Sequence, residues 1–343
     1  MVQHPDIAVV ILNWNGKHFL EQFLPGVIAC SKPFRVVLAD NASTDDSVSW
    51  TRSEFPDLEI VVNESNGGFA KGYNDALKRV QADYYVLLNS DVEVSENWLL
   101  PLVETMKNPE VAGCQPKVHS FRIKGDFEHA GASGGFLDKY HYPFCRGRIM
   151  DHVETDEGQY DYPTRIFWAT GACLMIRANL YWEAGGLDER FFAHMEEIDL
   201  CWRIQRLGLH FEVNPQSVVY HVGGGTLNYM NPRKTFLNFR NSLLMIHKNH
   251  RKGLAYVLFR RLCFDGLAAF VFLFKGQFPH FWAVFRAHMS FYKQFPSSMR
   301  ERKKWKKRDT NAPLRLYRGS ILWALYIQKV TKFKDLNQRK FDL

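Results

Sequence analysis

Residues 7–16 read Ile7-Ala8-Val9-Val10-Ile11-Leu12-Asn13-Trp14-Asn15-Gly16. The apolar part is short, rich in β-branched residues and does not alternate with polar ones. That pattern belongs to a strand buried on both faces, as in a parallel sheet covered by helices. Similar runs follow at Arg35-Val36-Val37-Leu38-Ala39, at residues 58–62 and at Tyr84-Tyr85-Val86-Leu87-Leu88. Helical patterns lie between them at 18–29, 47–54 and 68–80. The alternation predicts an α/β fold with a mostly parallel central sheet flanked by helices.

In such sheets ligands bind beyond the carboxyl ends of the strands. Two of these ends are polar. The second strand runs into Asp40-Asn41-Ala42-Ser43-Thr44-Asp45, and the fourth into Asn89-Ser90-Asp91-Val92-Glu93. The first strand is not followed by GxGxxG, and no GxxxxGK[ST] segment occurs, which argues against a dinucleotide fingerprint and a P-loop. Gly67 and Gly68 open a helix that carries Lys71. Glycines there admit close approach by a phosphate, or simply make a loop-to-helix junction. Asp91 and Glu93 suit a hard divalent cation, or are merely solvated.

Residues 119–165 lose periodicity and are expected to form long loops over the sheet. Helices are expected at 177–184 and 196–207, short strands at 210–213 and 217–220, and a long helix at 232–249. Glu196-Glu197-Ile198-Asp199 is set among aromatic residues. Crowding of like charges there raises a carboxyl pKa, as a general base requires; the alternative is a first helical turn made acidic by the macrodipole. Asp199 and Arg203 form an i,i+4 pair, a structural arrangement. His221 ends a strand before Val222-Gly223-Gly224-Gly225-Thr226 and is either a ligand to metal or phosphate or a satisfied structural histidine.

The chain of 343 residues is 46% hydrophobic and 23% charged, so it can bury a sizeable core and is not disordered. Its charge is divided. Residues 1–228 carry 19 Lys and Arg against 31 Asp and Glu, whereas residues 229–343 carry 25 against 5. A tail so basic seeks a polyanion. Six cysteines without a CxxC pair read as reduced core residues. Residues 1–6 are polar and 7–14 too short for the apolar part of a secretion signal. The longest apolar stretch, 262–274, contains Asp265 and falls short of the ~20 residues a spanning helix needs.

Taken together, the segments resemble the family 2 glycosyltransferases of GT-A fold, in their bacterial rhamnosyltransferase-like branch. The resemblance rests on Val-Ile-Leu-Asn-Trp-Asn at 10–15, Asp-Asn-Ala-Ser-Thr-Asp at 40–45, Asn-x-Gly-Phe-Ala at 66–70 and Leu-Leu-Asn-Ser-Asp-Val at 87–92. It continues with Thr-Gly-Ala-Cys-Leu at 170–174, Gly-Gly-Leu-Asp-Glu-Arg-Phe-Phe at 185–192, Glu-Glu-Ile-Asp-Leu-Cys-Trp-Arg at 196–203 and His-x-Gly-Gly-Gly-Thr at 221–226. The match spans about residues 7–245, and the order of the motifs makes it specific.

The resemblance implies inverting transfer of a sugar, rhamnose or a related hexose, from a dTDP-, UDP- or GDP-linked donor to a glycan or lipid-linked acceptor. It implies that Asp40 hydrogen-bonds the base, that Asn13 lines the base pocket with Trp14 stacking, and that Asn41, Asn66, Gly68 and Lys71 line the nucleotide. The family's Asp-x-Asp motif falls on Asn89-Ser90-Asp91, its first acid being Asn here. Asp91 is then the main carboxylate contact to Mg²⁺ or Mn²⁺, and His221 matches a late metal-binding His. The family's Glu-Asp base motif falls on Glu196-Glu197, with Glu in place of Asp.

These expectations divide the chain into a catalytic domain at 1–230 and a helical basic extension at 231–343. Residues 254–295 mix Phe, Trp and Leu with Arg and Lys, as amphipathic helices at a membrane interface do, and the 302–308 cluster favours anionic lipid. The expected location is cytoplasmic, peripheral on the inner face of the cytoplasmic membrane. A nucleic-acid-binding protein acting through the tail is a rival, but no reader motif is present and no nucleic acid partner is expected. A catalytically inactive scaffold of the same fold is the other.

Overall fold

The computed structural model describes residues 5–223 and 231–341. The first half alternates β1 (Ile7–Asn13), α1 (Lys17–Cys30), β2 (Arg35–Asp40), α2 (Ser47–Glu54), β3 (Glu59–Val62), α3 (Gly68–Leu77) and β4 (Tyr84–Asn89). Then come β5 (Val92–Val94), α4 (Leu99–Thr105) and the long β6 (Val111–Ser120). Residues 121–166 contribute β7 (Gly135–Leu137), β8 (Pro143–Cys145), β9 (Arg148–Ile149), β10 (His152–Val153) and β11 (Thr164–Ile166). The chain continues through β12 (Cys173–Arg177), α5 (Ala178–Glu183), α6 (Glu196–Gln205) and β13 (His210–His221). The tail holds α7 (Pro232–Asn249), α8 (Leu254–Phe274), α9 (Phe278–Arg308) and the short α10 (Ile321–Tyr326).

Among the described residues one nine-stranded sheet runs β11-β13-β6-β12-β4-β1-β2-β3, with β5 alongside β13. β3, β2, β1 and β4 are mutually parallel; β12 inserts antiparallel between β4 and β6. β1 explains its own composition. Ile7, Val9 and Ile11 join the core formed with Leu20, Leu24, Trp98 and Leu102. Ala8 and Val10 face the opposite core with Ala70, Tyr73 and Leu77. Alternate residues point to opposite faces, so a strand covered on both sides must be apolar throughout.

Two expectations need correction. Residues 119–165 are not simply loops. Among the described residues, β7 to β10 make a second, four-stranded antiparallel sheet, and Phe127, Phe136, Phe144 and Ile149 are buried in the main core. The strands are two or three residues long, too short to show a period. The two short strands at 210–213 and 217–220 are one, β13, with its register against β6 shifted between Asn214 and Val218. Of the six cysteines, Cys114, Cys145, Cys173 and Cys201 are buried, Cys30 is half-buried, and Cys263 is exposed.

The tail is built into the body. Asn231 caps α7, its side chain accepting from the Arg233 N–H, and Pro232 follows where a missing N–H costs nothing. Lys248 of α7 donates to Asp188 and Asp199 at 2.6 and 2.7 Å, and Arg203 closes on Asp199 at 2.8 Å, as its i,i+4 spacing foretells. Trp305 of α9 is fully buried against the Arg203 guanidinium. Asp309 then binds Arg206 and Arg251. Beyond it the chain returns over the small sheet. Tyr317 N–H donates to Leu137 O, and Phe333 N–H to Glu154. The Phe333 and Phe341 rings lie 5.2 and 5.3 Å from that of Phe136.

Candidate active site

The carboxyl ends of β2, β1 and β4 lie side by side, with Asn13 paired to Asp40 and Leu12 to Asn89. Asp40 is buried and accepts from Asn13 Nδ2 at 3.1 Å, from Ser43 Oγ at 2.6 Å and from the Ser43 N–H at 2.8 Å. Asn13 is fully buried and its Oδ1 has no hydrogen-bond partner. Trp14 next to it is 45% exposed at the rim. Gly16 fits between Asn13 and Ser90: a Cβ there would stand 2.6 Å from Asn13 Oδ1 and 3.5 Å from Ser90 Oγ.

A second group of amides lies across β2. Asn41 Nδ2 donates to Asn66 Oδ1 at 3.0 Å and to Gly68 O at 3.2 Å, and Asn66 Oδ1 also accepts the Gly68 N–H. Gly68 has φ of +86°, and a Cβ on it would collide with Phe192 at 2.6 Å. Lys71 is not brought into this cluster. Its ammonium binds Asp75, one turn on, at 2.5 Å.

The third group centres on His221. Its Nε2 stands 3.1 Å from Asp91 Oδ1 and 3.4 Å from Asn89 Nδ2. On the other side its Nδ1 lies 3.5 Å from Glu128 Oε1, an ion-pair separation rather than a short hydrogen bond. All three ionisable groups are buried. Burial opposes their charges, but their mutual attraction prevails: both carboxyls lie below their ordinary values, and His221 is pushed up to about 10. Glu128 is a site residue that sequence reading missed. Gly224, Gly225 and Thr226 of the glycine segment lie outside the described residues.

Glu196 and Glu197 begin α6. Each has a buried Oε2 without a partner. Burial raises both pKa values, Glu196 well above the carboxylate range with Glu197 adding to it, and Glu197 to about 7. They differ in access: Glu196 is buried, whereas Glu197 is half-buried. Glu197 lies beside Gly171, whose neighbour Ala172 receives the Asn89 N–H at 3.0 Å. Phe192, His194 and Met195 just before it all have positive φ, 66°, 70° and 73°. Asn241 of α7 donates to the carbonyls of Phe191, Ala193 and His194 and holds this turn in place.

The strand ends of this α/β sheet gather an amide and carboxylate cleft, a carboxylate–imidazole pair and a half-buried carboxyl of raised pKa. The profile of glycosyl transferase family 2 matches residues 8–184, and the chain belongs to that family. It is 23% identical over 239 residues to an N-acetylglucosaminyl-diphospho-decaprenol L-rhamnosyltransferase of Mycobacterium tuberculosis, covering 63% of this chain and 75% of the relative. It is 25% identical over 242 residues to a pre-mycofactocin glycosyltransferase of the same organism, covering 68% and 46%. Among solved structures, GalNAc-T7 with UDP, GalNAc and Mn²⁺ superposes with a TM-score of 0.55 at 17% identity, covering 72% of this chain and 48% of that one. The mannosyltransferase PcManGT of Pyrobaculum calidifontis with GDP-Man and Mn²⁺ gives 0.51 at 15% identity, covering 90% and 86%. These likenesses establish the GT-A fold.

Proposed function

We propose that this glycosyltransferase is inverting and metal-assisted, and that it moves rhamnose or a related hexose from a dTDP-, UDP- or GDP-linked donor to a lipid-linked glycan acceptor. The observation that carries this reading is the half-buried Glu197 beside Gly171, at the ends of β4 and β12. The acceptor hydroxyl attacks the anomeric carbon as the bond to the diphosphate breaks, and its proton passes to Glu197. A carboxyl raised to about 7 is suited to that task near neutral pH. Glu196 is too buried to act as a second, covalent nucleophile, which favours a single displacement and hence inversion.

Asp91 and His221 fit a divalent cation. Asp91 Oδ1 and His221 Nε2 converge at 3.1 Å, and these two atoms would hold the ion. Among the described residues no three His, Cys, Asp or Glu side chains form a complete metal cage, so other ligands must come from diphosphate and water. A carboxylate with an imidazole suits Mg²⁺ or Mn²⁺. Glu128 faces the opposite nitrogen of His221, where it would fix the ring so that Nε2 points at Asp91. When bound, the cation would stabilise the charge growing on the departing diphosphate. In this reading Asp40, Asn13, Asn41 and Asn66 bind the nucleoside, with Trp14 stacking at the rim. Gly68 lets the donor approach the backbone. Lys71 would have to leave Asp75 to reach a phosphate. The lipid-linked substrate in the rhamnosyltransferase relative's name and the basic tail support a place against anionic lipid, which we assign to the inner face of the cytoplasmic membrane.

Thermal stabilisation by dTDP, UDP, GDP and CMP, each with and without Mn²⁺, tests this reading. One nucleotide should stabilise the protein only with metal, Asp91→Ala should abolish the effect, and Glu128→Gln should weaken Mn²⁺ binding by about 10–100-fold. No response to any nucleotide would overturn it.

A further inference from the structure

The hairpin of α8 and α9 carries an apolar outer face, and on α8 charge lies on the inner one. On α8 the inward stripe at Val257, Arg261, Asp265 and Ala269 contains a fully buried ion pair, with Arg261 Nε 2.8 Å from Asp265 Oδ1. The Arg261 guanidinium also lies over the Tyr142 ring at 4.1 Å, and His288 of α9 approaches Asp265 at 3.4 Å. The outward face is apolar: Phe259, Leu267, Phe270 and Phe274 are exposed by 65, 62, 54 and 86%. Across the turn, Phe278, Trp282 and Phe285 of α9 are exposed by 60, 57 and 48%. A water-facing helix has the opposite arrangement, and contiguous apolar surface of this extent marks an interaction site.

We infer that this hairpin is a membrane anchor whose outer face enters one leaflet of an anionic bilayer. Charge selects this occupant. Between residues 229 and 300 the only acid is Asp265, and it is buried. Lys275, Arg286, Lys293 and Arg300 are exposed around the apolar face, and Lys303, Lys304, Lys306 and Lys307 extend the basic rim along α9. Cationic rims around an apolar face match anionic headgroups over acyl chains. A second copy of the chain would set one cationic rim against another. Among the described residues no helix is long and apolar enough to cross a membrane, so insertion stops within one leaflet.

The anchor also orients the site. His280, in the first turn of α9, meets Thr235 of α7 at 2.8 Å. Two residues before Thr235, the Arg233 guanidinium covers the Phe192 ring at the entrance to the Glu197 turn. The hairpin tip and the turn before Glu197 thus both meet the first turns of α7. Resting on the transferase reading above, the anchor ties the start of α7, and through it the turn before Glu197, to the leaflet that carries a lipid-linked acceptor.

Vesicle flotation of the full chain tests the anchor. The protein should float with phosphatidylcholine vesicles containing phosphatidylglycerol, and a measurable fraction should persist at about 0.5 M salt, where surface attraction is screened. The combined variant Phe270→Ser, Phe274→Ser, Phe278→Ser, Trp282→Ser should lose binding by at least about tenfold. A polarity-sensitive dye on Cys263, exposed on the outer face of α8, should shift to the blue with vesicles in a Cys30→Ser background. Wild-type protein that stays unbound, a variant that floats as well as wild type, or an unshifted dye would overturn the proposal. So would a dimer formed without vesicles and abolished by the variant. Nucleotide-dependent thermal shifts are read in parallel and should be equal in variant and wild type. Flotation without any nucleotide response would sustain the anchor and remove the transferase reading instead.

Discussion

Glu197 carries a carboxyl where its charge is disfavoured, and that has a cost in stability as well as, in the proposed mechanism, a use in catalysis. Its ordinary value is 4.5, and burial raises it to about 7 in the folded chain. The folded state therefore holds more protons than the unfolded state between those values, and its stability falls as pH rises across them. Glu197→Gln should remove that penalty. Thermal denaturation should show the variant matching wild type near pH 4.5 and melting several degrees higher at pH 8. Its kcat should fall by about 10²–10⁴-fold, the usual contribution of a positioned base. Wild-type kcat should rise with pH along a limb centred near 7. A variant that gains no stability at pH 8 would show that Glu197 is not held in this environment.

The turn before α6 depends on an element far away in sequence. Three carbonyls just before Glu197, those of Phe191, Ala193 and His194, are held by one buried amide, Asn241, from the middle of α7. Asn241→Ala should cost about 1–3 kcal/mol, as loss of partners for buried groups does. It should also lower kcat more than it raises KM for the donor, because the base moves while the nucleotide cleft stays; steady-state kinetics and melting curves check both. This dependence was not legible in the sequence. β1 to β4 were, because a strand buried on both faces leaves an unbroken apolar run. Asp40, Asp91 and Glu197 were legible because each sits at the end of a recognisable element. Glu128 was not: it stands in an irregular stretch, and only the fold brings it to His221. The direction of α8 was hidden too, since periodicity shows which residues share a face but not which face meets the protein.

Across the whole molecule, charge and topology join the two halves of the chain. Lys248 and Arg308 of the tail neutralise Asp188, Asp199 and Glu183 of the body, so part of the basic excess is satisfied internally. The last described segment closes over the small sheet through Tyr317, Phe333 and Phe341. Replacing both Phe333 and Phe341 by Ser should destabilise the fold by about 3–5 kcal/mol for each ring. Hydrogen exchange should then show residues 135–153 losing protection before β1 to β4 do. The order of synthesis gives this closure a further meaning. A nascent chain that ends before Phe333 already displays the hairpin of α8 and α9, while Phe136 still lacks its covering rings, Phe333 and Phe341. Interrupted translation therefore yields a product with two exposed apolar surfaces, the outer face of the hairpin and the uncovered rings of the small sheet.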